Sequence, residues 1–173
     1  MVFNLWPVRN EKPDINRLIN SYSKNLMRLC YIYLKDYHLA EDAVQETFTK
    51  AYLKYGTFKN LSSEKTWITK IAMNVCRNYL RKPSNKELLD NGYISLSYAS
   101  DDKTTADFRD EDSIMLLNAV YSLPEIYKQV ILLYYYQDLN TAEIAEILKQ
   151  KEGTISVRLK RARDLLKEIL KEE

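Results

Sequence analysis

From Asn140 to Arg163 the chain reads Asn-Thr-Ala-Glu-Ile-Ala-Glu-Ile-Leu-Lys-Gln-Lys-Glu-Gly-Thr-Ile-Ser-Val-Arg-Leu-Lys-Arg-Ala-Arg. These residue types, at this spacing, suit contact with phosphates and base edges. Asn140 can cap a short helix, and Glu143, three residues on, completes a capping box. Ile144, Ala145 and Leu148 form that helix's apolar face. A second helix starting near Gly153 repeats Ile155, Leu159, Ala162, Leu166 and Ile169 as one buried stripe. On the opposite side a helical wheel puts Val157, Lys160, Arg161 and Asp164, flanked by Ser156 and Arg163. Between Lys149 and Arg163 stand six Lys or Arg against one Glu. The pattern predicts a helix-turn-helix whose second helix docks in the major groove of DNA. Lys149 is an awkward turn residue, because Gly or Asn enters the left-handed region more easily.

A second constellation lies earlier in the chain. Lys65, Lys70, Arg77, Arg81 and Lys82 stud a helical stretch that also carries Trp67, Tyr79, Asn74 and Asn78, preceded by a polar loop from Phe58 to Ser63. Basic side chains interleaved with rings and amides suit unpaired bases, although Trp67 fits a core position equally well. A third, Asp42 to Tyr52, shows Asp42, Gln45, Glu46, Thr49 and Lys50 on one helical face. That face reads either as solvated surface or as a protein-docking surface.

Enzyme chemistry finds little footing. There is one histidine, His38, and there is neither a glycine-rich phosphate loop nor a clustered acid–base pair. Cys30 and Cys76 lie far apart outside any metal-ligand spacing, on apolar stretches where a buried free thiol is the expected role. No cofactor or metal is expected. Residues 1–10 lack the apolar core of a signal peptide, and no apolar run is long enough to span a bilayer. A soluble cytoplasmic protein without membrane insertion is the expectation.

The elements that position these residues are helices. Three Gly and four Pro in 173 residues leave few breaks, and no stretch alternates as a half-buried strand would. The periodicity predicts helices over 14–35, 39–55 and about 63–82, with Gly56 ending the second through a positive φ and Pro83 stopping the third. Further helices are predicted over 112–121, 124–136, 141–148 and 153–171. Between them, 84–111 turns to Ser, Asn, Asp, Lys and Thr. Charge divides the same way: 1–82 hold 14 basic and 7 acidic residues, and 83–111 hold 3 and 7. The expected architecture is all-α: a domain at 14–82, a flexible acidic linker at 83–111, and a helix-turn-helix domain at 112–171.

Taken together, the pieces resemble a known family. Leu39-Ala-Glu-Asp-Ala-Val-Gln-Glu-Thr-Phe-Thr-Lys-Ala-Tyr52 and Thr66-Trp-Ile-Thr-Lys-Ile-Ala-Met-Asn-Val-Cys-Arg-Asn-Tyr-Leu-Arg81 are similar to region 2 of bacterial sigma factors. Leu123-Pro-Glu-Ile-Tyr-Lys-Gln-Val-Ile-Leu-Leu133 and the helix-turn-helix resemble region 4. Order and spacing match the extracytoplasmic-function (ECF) group of sigma-70-type factors. The resemblance implies a transcription initiation factor that binds core RNA polymerase and directs promoter recognition and opening. It implies that Asp42, Gln45, Glu46, Phe48 and Tyr52 engage the clamp of the β′ subunit, the β subunit being a further polymerase partner. By the same resemblance, the loop of Asn60, Leu61, Ser62, Ser63 and Glu64 captures a flipped −10 base, and Asn74 and Asn78 touch the opened strand. Ser156, Val157, Lys160 and Arg161 would face the −35 element. Promoter DNA and an anti-sigma factor are the other implied partners.

Five positions depart from the family pattern. Ser156 replaces a common basic residue, Asn78 a common Asp, Glu64 a frequent aromatic, and Lys149-Gln150 the usual glycine–aliphatic pair. The competing reading is a polymerase-independent helix-turn-helix regulator that binds duplex DNA by itself.

Overall fold

The computed structural model describes residues 12–82 and 111–172, and every regular element among them is helical. The predicted linker lies almost wholly outside the described residues. In the front half, α1 spans Ile15–Leu34, α2 Tyr37–Lys54 and α3 Glu64–Arg81. In the back half, α4 spans Glu111–Ser122, α5 Glu125–Ile131, α6 Thr141–Leu148 and α7 Glu152–Glu172.

Local chemistry sets the boundaries. The Asp14 carboxylate accepts from the backbone N–H groups of Asn16 and Arg17 at 3.0 and 3.2 Å, fixing the start of α1. Lys35 closes that helix in the left-handed region at φ 59, and Asp36 at once caps α2 through the Leu39 amide at 2.8 Å. This two-residue corner folds α2 back along α1. The second helix does not end at Gly56 as the sequence suggests. It ends at Lys54 and tightens into a 3₁₀ turn, Tyr55–Thr57, that contains Gly56, and the left-handed residue is Asn60 at φ 55. Asn tolerates that region better than most residues, because its short amide can bond locally. Ser63 then caps α3 through the Thr66 amide at 3.0 Å.

The helix predicted to run from 124 to 136 is α-helical only to Ile131. From Leu132 to Tyr136 it widens into a π turn that buries Leu132 and Leu133. Single π turns of this kind occur inside helices and shift the register of the following side chains.

Fully buried Leu18, Leu26, Leu29, Ile32, Ile68 and Met73 fill the space among α1, α2 and α3. Each is worth roughly 1.5–3 kcal/mol relative to exposure. Cys30 and Cys76 lie in this core as free thiols with their sulfurs 3.5 Å apart. Their contact and burial push the Cys76 thiol well above its ordinary pKa, which makes it a poor nucleophile. In the back half, α7 packs on α4, α5 and α6 around Leu117, Ile131, Ile144 and Ile155.

The two halves touch. α3 packs against α6, and α1 against the π turn. The buried Gln137 amide donates to the Asn25 carbonyl at 2.8 Å, and Gln129 Nε2 donates to the Tyr33 hydroxyl at 2.9 Å. Thr66 donates to Glu143 at 2.7 Å, and Lys70 pairs with Glu146 at 3.2 Å. Polar ties therefore cross between front and back at several points.

Candidate functional site

The back-half site begins with the cap. Asn140 Oδ1 accepts from the Glu143 amide at 3.0 Å, and Glu143 Oε2 accepts from the Asn140 amide at 3.0 Å, so both arms of the capping box form. Lys149 adopts φ 54, ψ 48, and the Gln150 amide donates back to the Ala145 carbonyl at 3.0 Å. The turn thus takes the left-handed geometry in spite of its lysine. Thr141 Oγ1 donates to Glu152 Oε1 at 2.6 Å, tying the start of α6 to the start of α7.

Along α7, Ile155, Leu159 and Ala162 point inward, while Ser156, Val157, Lys160 and Arg161 are all exposed. Val157 keeps 52% of its surface in water. Ser156 Oγ donates to the Glu152 carbonyl of its own helix at 3.2 Å. Arg163, expected at the edge of this face, turns away: its Nε donates to the Tyr135 hydroxyl at 2.9 Å and it lies over the rings of Tyr134 and Tyr135.

In the front half, the loop after the 3₁₀ turn leaves Asn60, Leu61 and Ser63 exposed, with Ser62 half-buried. Leu61 is 87% exposed at the loop's tip. Beneath the loop, Tyr55, Phe58 and Trp67 make a ring cluster, with centroids 5.2 to 5.9 Å apart. Trp67 therefore supports the loop from below. A cavity of about 250 Å³ opens beside it, lined by Lys12, Asp14, Arg17, Tyr55, Phe58 and Asn60.

Glu64 behaves unlike its neighbours. Its carboxylate accepts from Arg17 NH1 and NH2 at 2.8 and 2.7 Å, from the Tyr22 hydroxyl at 2.9 Å and from the Tyr55 hydroxyl at 2.5 Å. The Arg17 guanidinium outweighs partial burial and, with the two tyrosines, holds the carboxyl at about 2. Burial and the facing carboxylate push Tyr22 up to about 12 and raise Tyr55 as well. Nothing in the sequence marked Arg17 as a partner 47 residues away.

On α3, Asn74 and Asn78 are both exposed, and Arg77 NH1 donates to Asn74 Oδ1 at 3.4 Å. At the opposite end of the loop's reach, Ser63 and Thr66 both meet the Glu143 carboxylate of α6, at 3.4 and 2.7 Å. Desolvation raises the Glu143 pKa, but the bonds from Thr66, the Asn140 amide and Ser63 outweigh it, and the net shift is downward.

The α2 face divides. Asp42 and Gln45 are exposed, Glu46 and Tyr52 are half-buried, and Phe48 is buried at 7% exposure. Glu46 pairs with Lys50 at 2.6 Å, which holds its carboxyl below the usual range. Between α1 and α2 runs an apolar groove of about 960 Å³, with Ile15, Ile19, Met27, Val44, Phe48 and Tyr52 among its walls. Phe48 and Tyr52 are thus joined to residues of α1 that the helix-by-helix pattern did not connect. No helix among the described residues is long and apolar enough to cross a membrane.

The chain is similar to known proteins. Residues 18–86 match the family described as Sigma-70 region 2, and residues 113–166 match Sigma-70, region 4. The RNA polymerase sigma factor SigV of Bacillus subtilis is 33% identical over 150 residues, spanning 86% of each chain. The ECF RNA polymerase sigma factor SigW of the same species is 31% identical over 90% of this chain and 88% of that one. Among solved structures, the sigma factor RpoE of Bartonella quintana, in complex with the anti-sigma factor NepR, superposes with a TM-score of 0.73. It is 26% identical, over 91% of this chain and 97% of that chain.

Proposed function

The chain belongs to the sigma-70 family of RNA polymerase sigma factors, in its ECF group, and from that premise we propose how it divides promoter recognition between its two halves. Residues 14–82 form the unit that binds core polymerase and the −10 element, and residues 112–171 form the unit that reads the −35 element. Ser156, Val157, Lys160 and Arg161 enter the major groove, with the two cations fixing register on phosphate. Asn60, Leu61, Ser62 and Ser63 hold a base as it leaves the duplex, and Asn74 and Asn78 follow the opened strand. Binding of the extruded base offsets part of the cost of unpairing. Asp42, Gln45, Glu46 and Tyr52 meet the polymerase clamp, with Phe48 on the floor of the adjoining groove. Neither half needs to bind tightly by itself, since tethering to one polymerase raises the effective concentration of each.

The carrying observation is that one chain exposes two separate surfaces suited to DNA, the loop of Asn60 to Ser63 tipped by Leu61 and the outer face of α7 with Lys160 and Arg161. A polymerase-independent regulator needs only the second. The protein acts in the cytoplasm as a specificity factor without catalysis of its own. An anti-sigma factor, such as the partner of the RpoE relative, completes the list of partners.

Run-off transcription tests this reading, using purified core polymerase and a pool of promoter fragments. New start sites should require the protein and should vanish when Lys160 and Arg161 are both replaced by Ala. Tight duplex binding without polymerase, together with no stimulated transcript, would favour the regulator instead.

A further inference from the structure

One carboxylate closes both ends of the loop assigned to −10 capture. Tyr55 opens the 3₁₀ turn before that loop, and Glu64 is the first residue of the helix after it. Their side chains meet at 2.5 Å, so the eight residues from Gly56 to Ser63 are pinned where they leave and where they return. Arg17, reaching from α1, grips Glu64 with two nitrogens and approaches the Tyr55 hydroxyl at 3.4 Å. A paired guanidinium–carboxylate fork fixes orientation as well as distance. With four donors already on it, the Glu64 carboxylate has its acceptor sites filled and has none to offer a base.

We propose that Glu64 and Arg17, acting through Tyr55, are the positioning residues that fix the −10 capture loop, and that Glu64 makes no base contact. The inference rests on the assignment of Asn60 to Ser63 as the −10 reader. Its physical basis is preorganisation. A loop held at both ends meets the departing base in one geometry, so correct and incorrect bases are met by the same fixed donors and by the same Leu61 surface. A loop freed at one end adapts to either base and discriminates less.

Tyr22 supplies an internal control. Its hydroxyl bonds the same carboxylate, at 2.9 Å, but it sits on α1 and is attached to neither end of the loop. Tyr22→Phe and Tyr55→Phe each remove one hydroxyl from Glu64 and keep the ring.

Starting from a promoter selected with the wild-type holoenzyme, transcript yields are measured across a pool randomised through the −10 element. Wild type, Tyr55→Phe, Glu64→Gln, Tyr22→Phe and the loop variant Asn60→Ala/Leu61→Ala are compared. Core-polymerase affinity is measured in parallel. Tyr55→Phe and Glu64→Gln should narrow the ratio of best to worst −10 base by about three- to tenfold, the effect of one lost hydrogen bond. Core affinity should not change, and Tyr22→Phe should keep the wild-type ratio. A purely structural role would lower yields on all sequences alike and leave the ratio intact, which overturns the proposal. Equal narrowing by Tyr22→Phe and Tyr55→Phe also overturns it. If Asn60→Ala/Leu61→Ala flattens the preference while Tyr55→Phe and Glu64→Gln do not, the clamp falls and the loop assignment stands. If the loop variant too keeps the preference, both fall.

Discussion

The tie between front and back halves can be measured through Thr66 and Glu143. Thr66 is fully buried, and its hydroxyl donates to Glu143 Oε1 at 2.7 Å, while Glu143 Oε2 completes the capping box. Glu143→Ala removes both functions, and Thr66→Val removes the tie plus its bond to Ser63. A double-mutant cycle cancels the unshared parts and isolates the Thr66–Glu143 bond. A hydrogen bond to an ionised acceptor contributes about 1.5–3 kcal/mol when buried, and partial exposure of Glu143 lowers the expectation to about 1–2 kcal/mol. The neighbouring Lys70–Glu146 pair, with side chains 29% and 42% exposed, should couple by no more than about 0.5 kcal/mol. Urea unfolding of wild type, both singles and the double gives the four stabilities from midpoint and slope. A Thr66–Glu143 coupling under about 0.5 kcal/mol, within ordinary additivity error, would refute the claim that this bond holds the halves together. A larger coupling for Lys70–Glu146 than for Thr66–Glu143 would refute the ranking of buried over exposed polar ties.

Three further outcomes are expected. Glu64 carries a carboxyl depressed from 4.5 to about 2, so its contribution is fully present above pH 4.5 and is lost as pH falls toward 2. Glu64→Gln should cost about 1–2 kcal/mol at pH 7, discounted because the Arg17 side chain is 46% exposed, and the gap should narrow below pH 4.5 and close as pH falls through about 2 in acid-unfolding curves. Lys149 holds φ 54 at an exposed turn, so Lys149→Gly should raise stability by about 0.5–1 kcal/mol, read as a higher thermal midpoint, and an unchanged or lower midpoint would refute strain at this turn. Replacing Lys160 and Arg161 by Ala should reduce the slope of log affinity against log salt for promoter duplex by about 2, and an unchanged slope would remove both from phosphate contact.

Much of the back-half site is legible in the sequence because it is written locally. The Asn140–Glu143 box, the inward stripe of Ile155, Leu159 and Ala162, and the outward Val157, Lys160 and Arg161 all follow from spacings within two turns of helix. A serine cap for α3 at Ser62 or Ser63 is readable for the same reason, and Ser63 is the one that forms it. What escapes is pairing across long separations. Arg17 and Glu64 look like two unrelated surface charges until α1 and α3 pack side by side, and only then is the loop from Gly56 to Ser63 tied at both ends. The α1–α2 groove escapes likewise, since its walls come from two helices whose stripes are read one at a time. At Leu132 the 3.6-residue pattern continues smoothly in sequence, and the widening to a π turn leaves no local mark. Gly56 misleads because a glycine is a permissive residue, not an obligatory stop. The strained position falls instead on Asn60, four residues later.

Leu61 stands at the loop tip with 87% of its surface in water. Any base that comes to rest on it takes apolar surface out of solvent, and such burial carries a negative heat-capacity change. On the proposed reading, in which the loop takes a −10 base onto Leu61, this one side chain adds a temperature curvature that a loop reading bases by hydrogen bonds alone would lack. Warming and cooling would then act on that contact through the surrounding water.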